Sequence, residues 1–179
     1  VKLFKESLKL PRLIDITPEL SENSIKVNGN DILGRGGFAV VFKGIIKENG
    51  TAVAVKCLFN ENKGPLEGNT PNSIKKELGR ESAIVCSLNH PNIIKFYGVV
   101  PERGWIVMEF CERGSLQDLH KHVGAGRLFR STDILRIAHE IACGVAYLHS
   151  PDISIIHGDL KAANVLLRGD KSVCLTDFG

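Results

Sequence analysis

Close cysteine pairs, long apolar runs, a leader pattern, internal repeats and a strong charge of either sign are all missing from this chain of 179 residues. Cys57, Cys86, Cys111, Cys143 and Cys174 stand far apart and are odd in number, which argues against a disulfide framework and for reduced thiols. No stretch approaches the ~20 apolar residues that a membrane span needs, and the first residues carry no signal-peptide pattern. The expected compartment is therefore the cytoplasm, with no membrane span. A formal charge of +3, with its basic residues scattered, is too small to argue for nucleic acid. None of the six histidines pairs with cysteine at zinc-ligand spacing. What is present, 43% hydrophobic and 24% charged residues, is the composition of a globular domain.

Residues 1–23 read as a lead-in segment or linker, because Pro11 and Pro18 limit any helix there. After it, Leu33-Gly34-Arg35-Gly36-Gly37-Phe38-Ala39-Val40-Val41-Phe42-Lys43-Gly44 reads as strand, glycine turn and strand. Glu48-Asn49-Gly50 signals a tight turn, and Val53 to Leu58 returns as a further strand that carries Lys56. Glycines at such a turn let backbone amides approach phosphate oxygens with no Cβ in the way. Lys56 offers a mobile point charge for the same phosphates. The spacing Gly34-x-Gly36-x-x-Ala39 also satisfies a dinucleotide-binding fingerprint. That reading fails on context, since the fingerprint needs a helix directly after the loop and Val40 to Lys43 have strand character.

The polar stretch from Asn60 to Asn72 reads as a loop, and a helix capped by Ser73 follows. Ile74, Leu78, Glu81, Val85 and Leu88 recur at intervals of four and three and so share one face. Glu81 interrupts that apolar stripe, with Glu77 one turn earlier as the competing carboxylate. The turn at His90-Pro91-Asn92 ends the helix, and His90 reads as structural. Two antiparallel strands are expected at Phe96 to Val100 and Trp105 to Phe110, joined by Pro101-Glu102-Arg103-Gly104. Ser131 to His149 is an amphipathic helix whose apolar face carries Ile134, Leu135, Ile137, Ala138, Ile141, Ala142, Val145 and Leu148.

The last stretch holds the chemistry. Asp159, Asn164 and Asp177 provide one carboxylate to orient a nucleophile and two oxygen ligands to hold Mg²⁺ against phosphates, the set that phosphoryl transfer requires. Alone, the Asp159-to-Asn164 spacing is a weak signal that a helix cap or turn would also produce.

Together with the glycine loop and Lys56, the segments His157-Gly158-Asp159-Leu160-Lys161-Ala162-Ala163-Asn164 and Asp177-Phe178-Gly179 resemble the catalytic and metal loops of the eukaryotic protein kinases. The resemblance implies an α+β, bilobal fold. A small lobe at 24–110 would hold a five-stranded antiparallel sheet plus one helix, and 111–179 would form the hinge and an incomplete helical lobe. It implies ATP and Mg²⁺ as cofactors and a protein substrate that the sequence does not identify. Asp159 and Lys161 would be catalytic, with Lys56 paired to Glu81, and Asn164 and Asp177 would ligate metal. Leu33, Gly34, Arg35, Gly36, Gly37, Phe38, Ala39, Val41, Ala54, Lys56 and Leu166 would bind the nucleotide. Backbone groups from Glu109 to Cys111 would hydrogen-bond adenine, and Met108 would guard the pocket behind it. Val85, Phe96, His157 and Phe178 would form an apolar stack.

Two positions depart from the family pattern. Ala39 replaces the third glycine, and Gly158 stands where most members have Arg, which removes the usual receptor for an activation-loop phosphate. Lys161 is the serine/threonine form of the loop, and the whole looks like the tyrosine-kinase-like group, with the His-Gly-Asp version similar to fungal members. Small-molecule phosphotransferases share that His-Gly-Asp sequence but are disfavoured by Lys161 and Asp177-Phe178-Gly179. A non-catalytic nucleotide-binding or scaffold module is disfavoured by the presence of Lys56, Asp159 and Asp177. The resemblance covers roughly the first two-thirds of a kinase domain, so the expectation is a fragment of an active kinase.

Overall fold

A computed structural model describes residues 17–37, 39–59, 78–79, 82–123 and 130–178, which fall in two compact units: residues 1–88 with 96–109, and residues 89–95 with 110–179. Phe38, the loop at 60–72, Ser73, Ile74, Glu77, Glu81 and Gly179 lie outside the described residues.

The first unit is the expected five-stranded antiparallel sheet. Its strands are β1 (Ile25–Arg35), β2 (Ala39–Ile46), β3 (Thr51–Leu58), β4 (Phe96–Val100) and β5 (Trp105–Glu109), in the order β1-β2-β3-β5-β4. The β2–β3 hairpin closes where the sequence demands it. Gly50 takes φ 72, in the left-handed region, and Asn49 Oδ1 accepts the Thr51 N–H at 3.0 Å. From there the ladder runs unbroken from Ile46↔Thr51 to Ala39↔Leu58. Alternation then buries Val40, Phe42, Val53, Val55, Cys57, Val100, Trp105 and Val107 in one cluster. Each large apolar side chain there contributes roughly 1.5–3 kcal/mol relative to exposure, against about 1 kcal/mol net for a hydrogen bond. The buried face therefore sets the register. Burial also pushes the Cys57 thiol up to about 12 and keeps it protonated.

The described part of the lead-in segment lies against this sheet. Leu20 N–H donates to the Val99 carbonyl at 2.7 Å and Val99 N–H to the Pro18 carbonyl at 2.9 Å, so Glu19 bridges Val99 in parallel. Leu20 packs on the core cluster, and Arg103, stacked over Trp105, pairs with Glu22. Residues 82–86 are helical, and Leu78, Val85 and Leu88 of the expected stripe are buried.

The second unit holds α1 (Leu116–Val123), α2 (Ser131–Leu148) and the hairpin β6 (Val165–Leu167) with β7 (Val173–Leu175). Ser115 Oγ accepts the Asp118 N–H at 3.1 Å while Asp118 Oδ2 accepts the Ser115 N–H at 3.3 Å, a reciprocal cap that starts α1. α2 meets β7 through Gly144, where an added Cβ would stand 2.9 Å from the Asn92 carbonyl and 3.0 Å from Leu175 Cδ1. Glu140 ties the same pair of elements, accepting from Val173 N–H and from Arg136, each at 2.6 Å.

The apolar face of α2 is only partly covered. Ile137 and Leu148 are buried with Gly144, whereas Ile134 is 55% and Leu135 70% exposed. Eight apolar positions span more than one stripe of a helix, and β7 covers a single stripe. Among the described residues, no helix is long and apolar enough to cross a membrane, which says nothing about strands.

Candidate functional site

Four candidate site residues of the first unit share one face of the sheet, opposite the core cluster. Val41 pairs with Lys56 and Lys56 with Ile106, while Ala54 pairs with Met108 and Gly34 with Val41. Directly opposed residues in antiparallel strands project to the same side. Val41, Ala54, Lys56 and Met108 thus share a face, because Val40, Phe42, Val53, Val55 and Val107 occupy the other. Ala54 and Met108 are buried, whereas Val41 and Lys56 are half-buried.

Among the described residues, a Cβ on Gly34 or Gly37 of the glycine loop would meet nothing within 4 Å, and one on Gly36 only the Ala39 carbonyl at an ordinary 3.7 Å. None of the three takes the left-handed φ that would demand glycine. Three glycines in four residues leave the backbone there open to close approach. Leu33, Arg35, Gly36 and Gly37 are exposed and Gly34 is half-buried, and the turn closes by Gly36 N–H donating to the Ala39 carbonyl at 2.8 Å. Ala39 itself pairs with Leu58 and is buried, so the residue that replaces the third glycine belongs to β2 rather than to the turn.

In the second unit, Asp159, Lys161 and Asn164 converge on one carboxylate. Lys161 Nζ lies 2.6 Å from Asp159 Oδ2. Asn164 Nδ2 donates to the Asp159 carbonyl at 2.9 Å and to the same Oδ2 at 3.0 Å. The Lys161 hydrogen bond, reinforced by Asn164, holds the Asp159 carboxyl below its ordinary range and outweighs desolvation. Both Asp159 and Lys161 are exposed, whereas Asn164 is 4% exposed. A 3₁₀ turn at Ala162–Asn164 delivers the amide inward, with Asn164 N–H bonded to the Lys161 carbonyl and Thr176 N–H to the Asn164 carbonyl. That last bond couples the loop to the chain leading into Asp177. Because Nδ2 faces Asp159, Oδ1 is the end of the amide left to serve as an oxygen ligand.

Gly158 takes φ 77, so the residue replacing the family's Arg sits where glycine is at ease. Asp177 is exposed at φ 58, a conformation that Asp tolerates better than most residues. Leu166 is half-buried in β6, one residue beyond the start of the strand and opposite Cys174. Within this unit His157 and Phe178, two members of the expected stack, meet with ring centroids 5.0 Å apart, both buried. Neither ring nitrogen of His157 has a hydrogen-bond partner among the described residues. Val85 and Phe96 belong to the first unit.

His90 is structural, as its neighbours suggest: Nδ1 accepts the Asn92 N–H at 3.0 Å and the ring stacks on Tyr147 at 4.9 Å. Sequence reasoning missed the sulfur contact between Cys111 and Cys174, 3.4 Å apart. A separation of 63 residues leaves no local signal for it.

Over residues 27–179 the chain matches the family described as the protein kinase domain, and it belongs to that family. It is 36% identical over 154 residues to the "Probable serine/threonine-protein kinase drkD" of Dictyostelium discoideum, covering 82% of this chain and 11% of that protein. It is 38% identical over 152 residues to the "Receptor-like kinase LIP2" of Arabidopsis thaliana, covering 83% of this chain and 26% of the relative. It is also 38% identical over 165 residues to the "Spermatocyte protein spe-8" of Caenorhabditis elegans, at 88% and 30%. The chain therefore spans less than a third of the length of each of these relatives.

Proposed function

We propose that this chain carries the nucleotide- and metal-binding residues of an ATP-dependent protein kinase that phosphorylates serine or threonine hydroxyls of a protein substrate. The observation that carries the reading is the convergence of Lys161 Nζ and Asn164 Nδ2 on one oxygen of Asp159, at 2.6 and 3.0 Å.

A carboxylate held below its ordinary range is a weak base. Asp159 therefore acts by orienting the substrate hydroxyl and receiving its proton, not by stripping that proton in advance. Lys161 places a positive charge beside the same hydroxyl, where the transferred phosphoryl group carries negative charge. Lys56, on the face shared with Val41 and Ala54, is a second point charge for phosphate, with Glu81 as its ion-pair partner. The open backbone at Gly34, Gly36 and Gly37 suits phosphate oxygens, with Leu33, Arg35, Phe38 and Ala39 completing the loop. Val41, Ala54 and Leu166 supply apolar contact for adenine, Met108 guards the pocket behind it, and backbone groups from Glu109 to Cys111 supply its hydrogen bonds.

Asn164 Oδ1 and the Asp177 carboxylate are hard oxygen donors of the kind that Mg²⁺ prefers, so the residues present fit that ion. When bound, Mg²⁺ would neutralise phosphate charge. Scattered reduced thiols fit a cytoplasmic setting. Gly158 removes the guanidinium that would receive an activation-loop phosphate, so catalysis in the whole protein would not depend on that modification.

The test is thermal stabilisation by ATP with and without Mg²⁺, in the parent chain and in Lys56→Met and Asp177→Asn. We expect stabilisation in the parent, a reduced response in Lys56→Met, and loss of the Mg²⁺ increment in Asp177→Asn. An unresponsive parent chain sinks the reading.

A further inference from the structure

Cys111 and Cys174 are the one sulfur–sulfur contact among the described residues, with Sγ atoms 3.4 Å apart. Both thiols are buried, yet Cys111 retains 7% of its surface and Cys174 none. The other cysteines are engaged elsewhere. Cys57 Sγ faces the Val55 carbonyl, Cys86 Sγ the Ala83 carbonyl, and Cys143 Sγ the His139 ring.

The backbone around the pair is held from both sides. Arg113 N–H donates to the Leu167 carbonyl at 3.1 Å, and Leu167 N–H to the Gly114 carbonyl at 2.9 Å, so the segment after Cys111 is laddered to β6. Ser115 bridges Leu166, and Leu166 pairs with Cys174 across the hairpin. The thiols are therefore presented to each other by hydrogen-bonded backbone rather than by mobile ends.

We propose that Cys111 and Cys174 form a reversible disulfide under hydroperoxide, a covalent clamp between the segment that follows β5 and the strand that leads to Asp177. The more exposed Cys111 reacts first. Its thiolate attacks the O–O bond of the peroxide, becomes a sulfenic acid, and releases water from hydrogen peroxide or an alcohol from an organic hydroperoxide. Cys174 sulfur then attacks the Cys111 sulfur, the S–O bond breaks, and the second oxygen leaves as water carrying the Cys174 proton. Two thiols lose two electrons in all, and the peroxide accepts them. A disulfide needs its sulfurs ~2.05 Å apart, so the pair closes by about 1.4 Å.

Resting on the function proposed above, the clamp has a consequence. Cys111 ends the backbone run assigned to adenine, and Cys174 lies three residues before Asp177. Drawing the two together shifts groups that the nucleotide must meet at once, and a misplacement of ~1 Å costs up to about a hundredfold in such sites. Reduction by a dithiol restores the open pair. Peroxide signalling would thus act on this site without any phosphate.

The experiment treats the parent chain and Cys174→Ser with graded hydrogen peroxide, blocks remaining thiols, and maps tryptic peptides. Cleavage after Arg103, Arg113 and Lys171 puts Cys111 and Cys174 in separate peptides, 104–113 and 172–179, and each other cysteine in its own. We expect a linked 104–113/172–179 pair that dithiothreitol separates, no such pair in Cys174→Ser, and an unreacted Cys57. ATP titrations of oxidised and reduced parent chain, followed by thermal shift, should differ by about tenfold or more in midpoint. Sulfinic or sulfonic acid on Cys111 with no linked pair would overturn the disulfide. A linked pair with an unchanged ATP midpoint would overturn the switch. Absence of any ATP response in the reduced chain would count against the kinase reading alone, since the linked peptides decide the disulfide without nucleotide.

Discussion

Asn164 Nδ2 reaches both the carbonyl and the side chain of Asp159, at 2.9 and 3.0 Å, so one buried amide holds the exposed carboxylate and keeps Oδ1 as its remaining polar end. Asn164→Ala removes both hydrogen bonds and the oxygen ligand together. Their loss should lower the urea midpoint of unfolding. Apparent Mg²⁺ affinity in the presence of ATP should fall by about tenfold or more, and an unchanged Mg²⁺ midpoint would remove Asn164 from the metal site.

The carboxyl of Asp159 lies below its ordinary range chiefly because of the Lys161 hydrogen bond. A depressed folded-state pKa stabilises the fold above the unfolded-state value, and that contribution is lost as pH falls through the folded value. In Lys161→Met the Asp159 pKa should rise toward the ordinary range, and the acid limb of the stability curve should shift upward in pH by the corresponding amount. Carbon-detected NMR titration of the Asp159 carboxyl checks this directly.

Gly98 is the only residue type that lets the segment before β1 lie on β4. An added Cβ would stand 2.6 Å from the Pro18 carbonyl and 2.9 Å from Leu20 Cγ. Gly98→Val should cost roughly 1–3 kcal/mol by overpacking. It should also speed amide exchange at Leu20 and Val99, whose N–H groups bond across this contact. Retained protection at both amides would refute the steric argument.

Two opposed effects meet at Gly144 in α2. Alanine gains about 1 kcal/mol in helix propensity, but its Cβ would lie 2.9 Å from the Asn92 carbonyl, a backbone atom that also accepts the Leu175 N–H at 2.9 Å. Overpacking against such a fixed neighbour costs about 1–3 kcal/mol, so Gly144→Ala should destabilise. A raised Tm would show that α2 can retreat from β7 freely.

Much of this molecule could be read along the chain because its signals are local. The Asn49-Gly50 turn, the alternation from Val53 to Cys57 and the apolar periodicity of Ser131–Leu148 each involve neighbours a few residues apart, and each predicts an element that forms. Pattern alone did not decide which stripe of α2 would be buried. Ile134 and Leu135 are as apolar as Ile137, yet they are exposed and Ile137 is buried, a difference set by what packs on the helix rather than by its pattern.

For the site, the sequence by itself determined the inventory: the glycine turn, Lys56, the Asp159-Lys161-Asn164 loop and Asp177. A residue's type and its spacing from near neighbours are written along the chain. Tertiary structure alone decided that Val41, Ala54, Lys56 and Met108 share one sheet face, that Asn164 is buried against Asp159, and that Cys111 meets Cys174 across 63 residues. Register and long-range contact arise from burying apolar surface across the whole unit, and that free energy belongs to no single stretch of sequence.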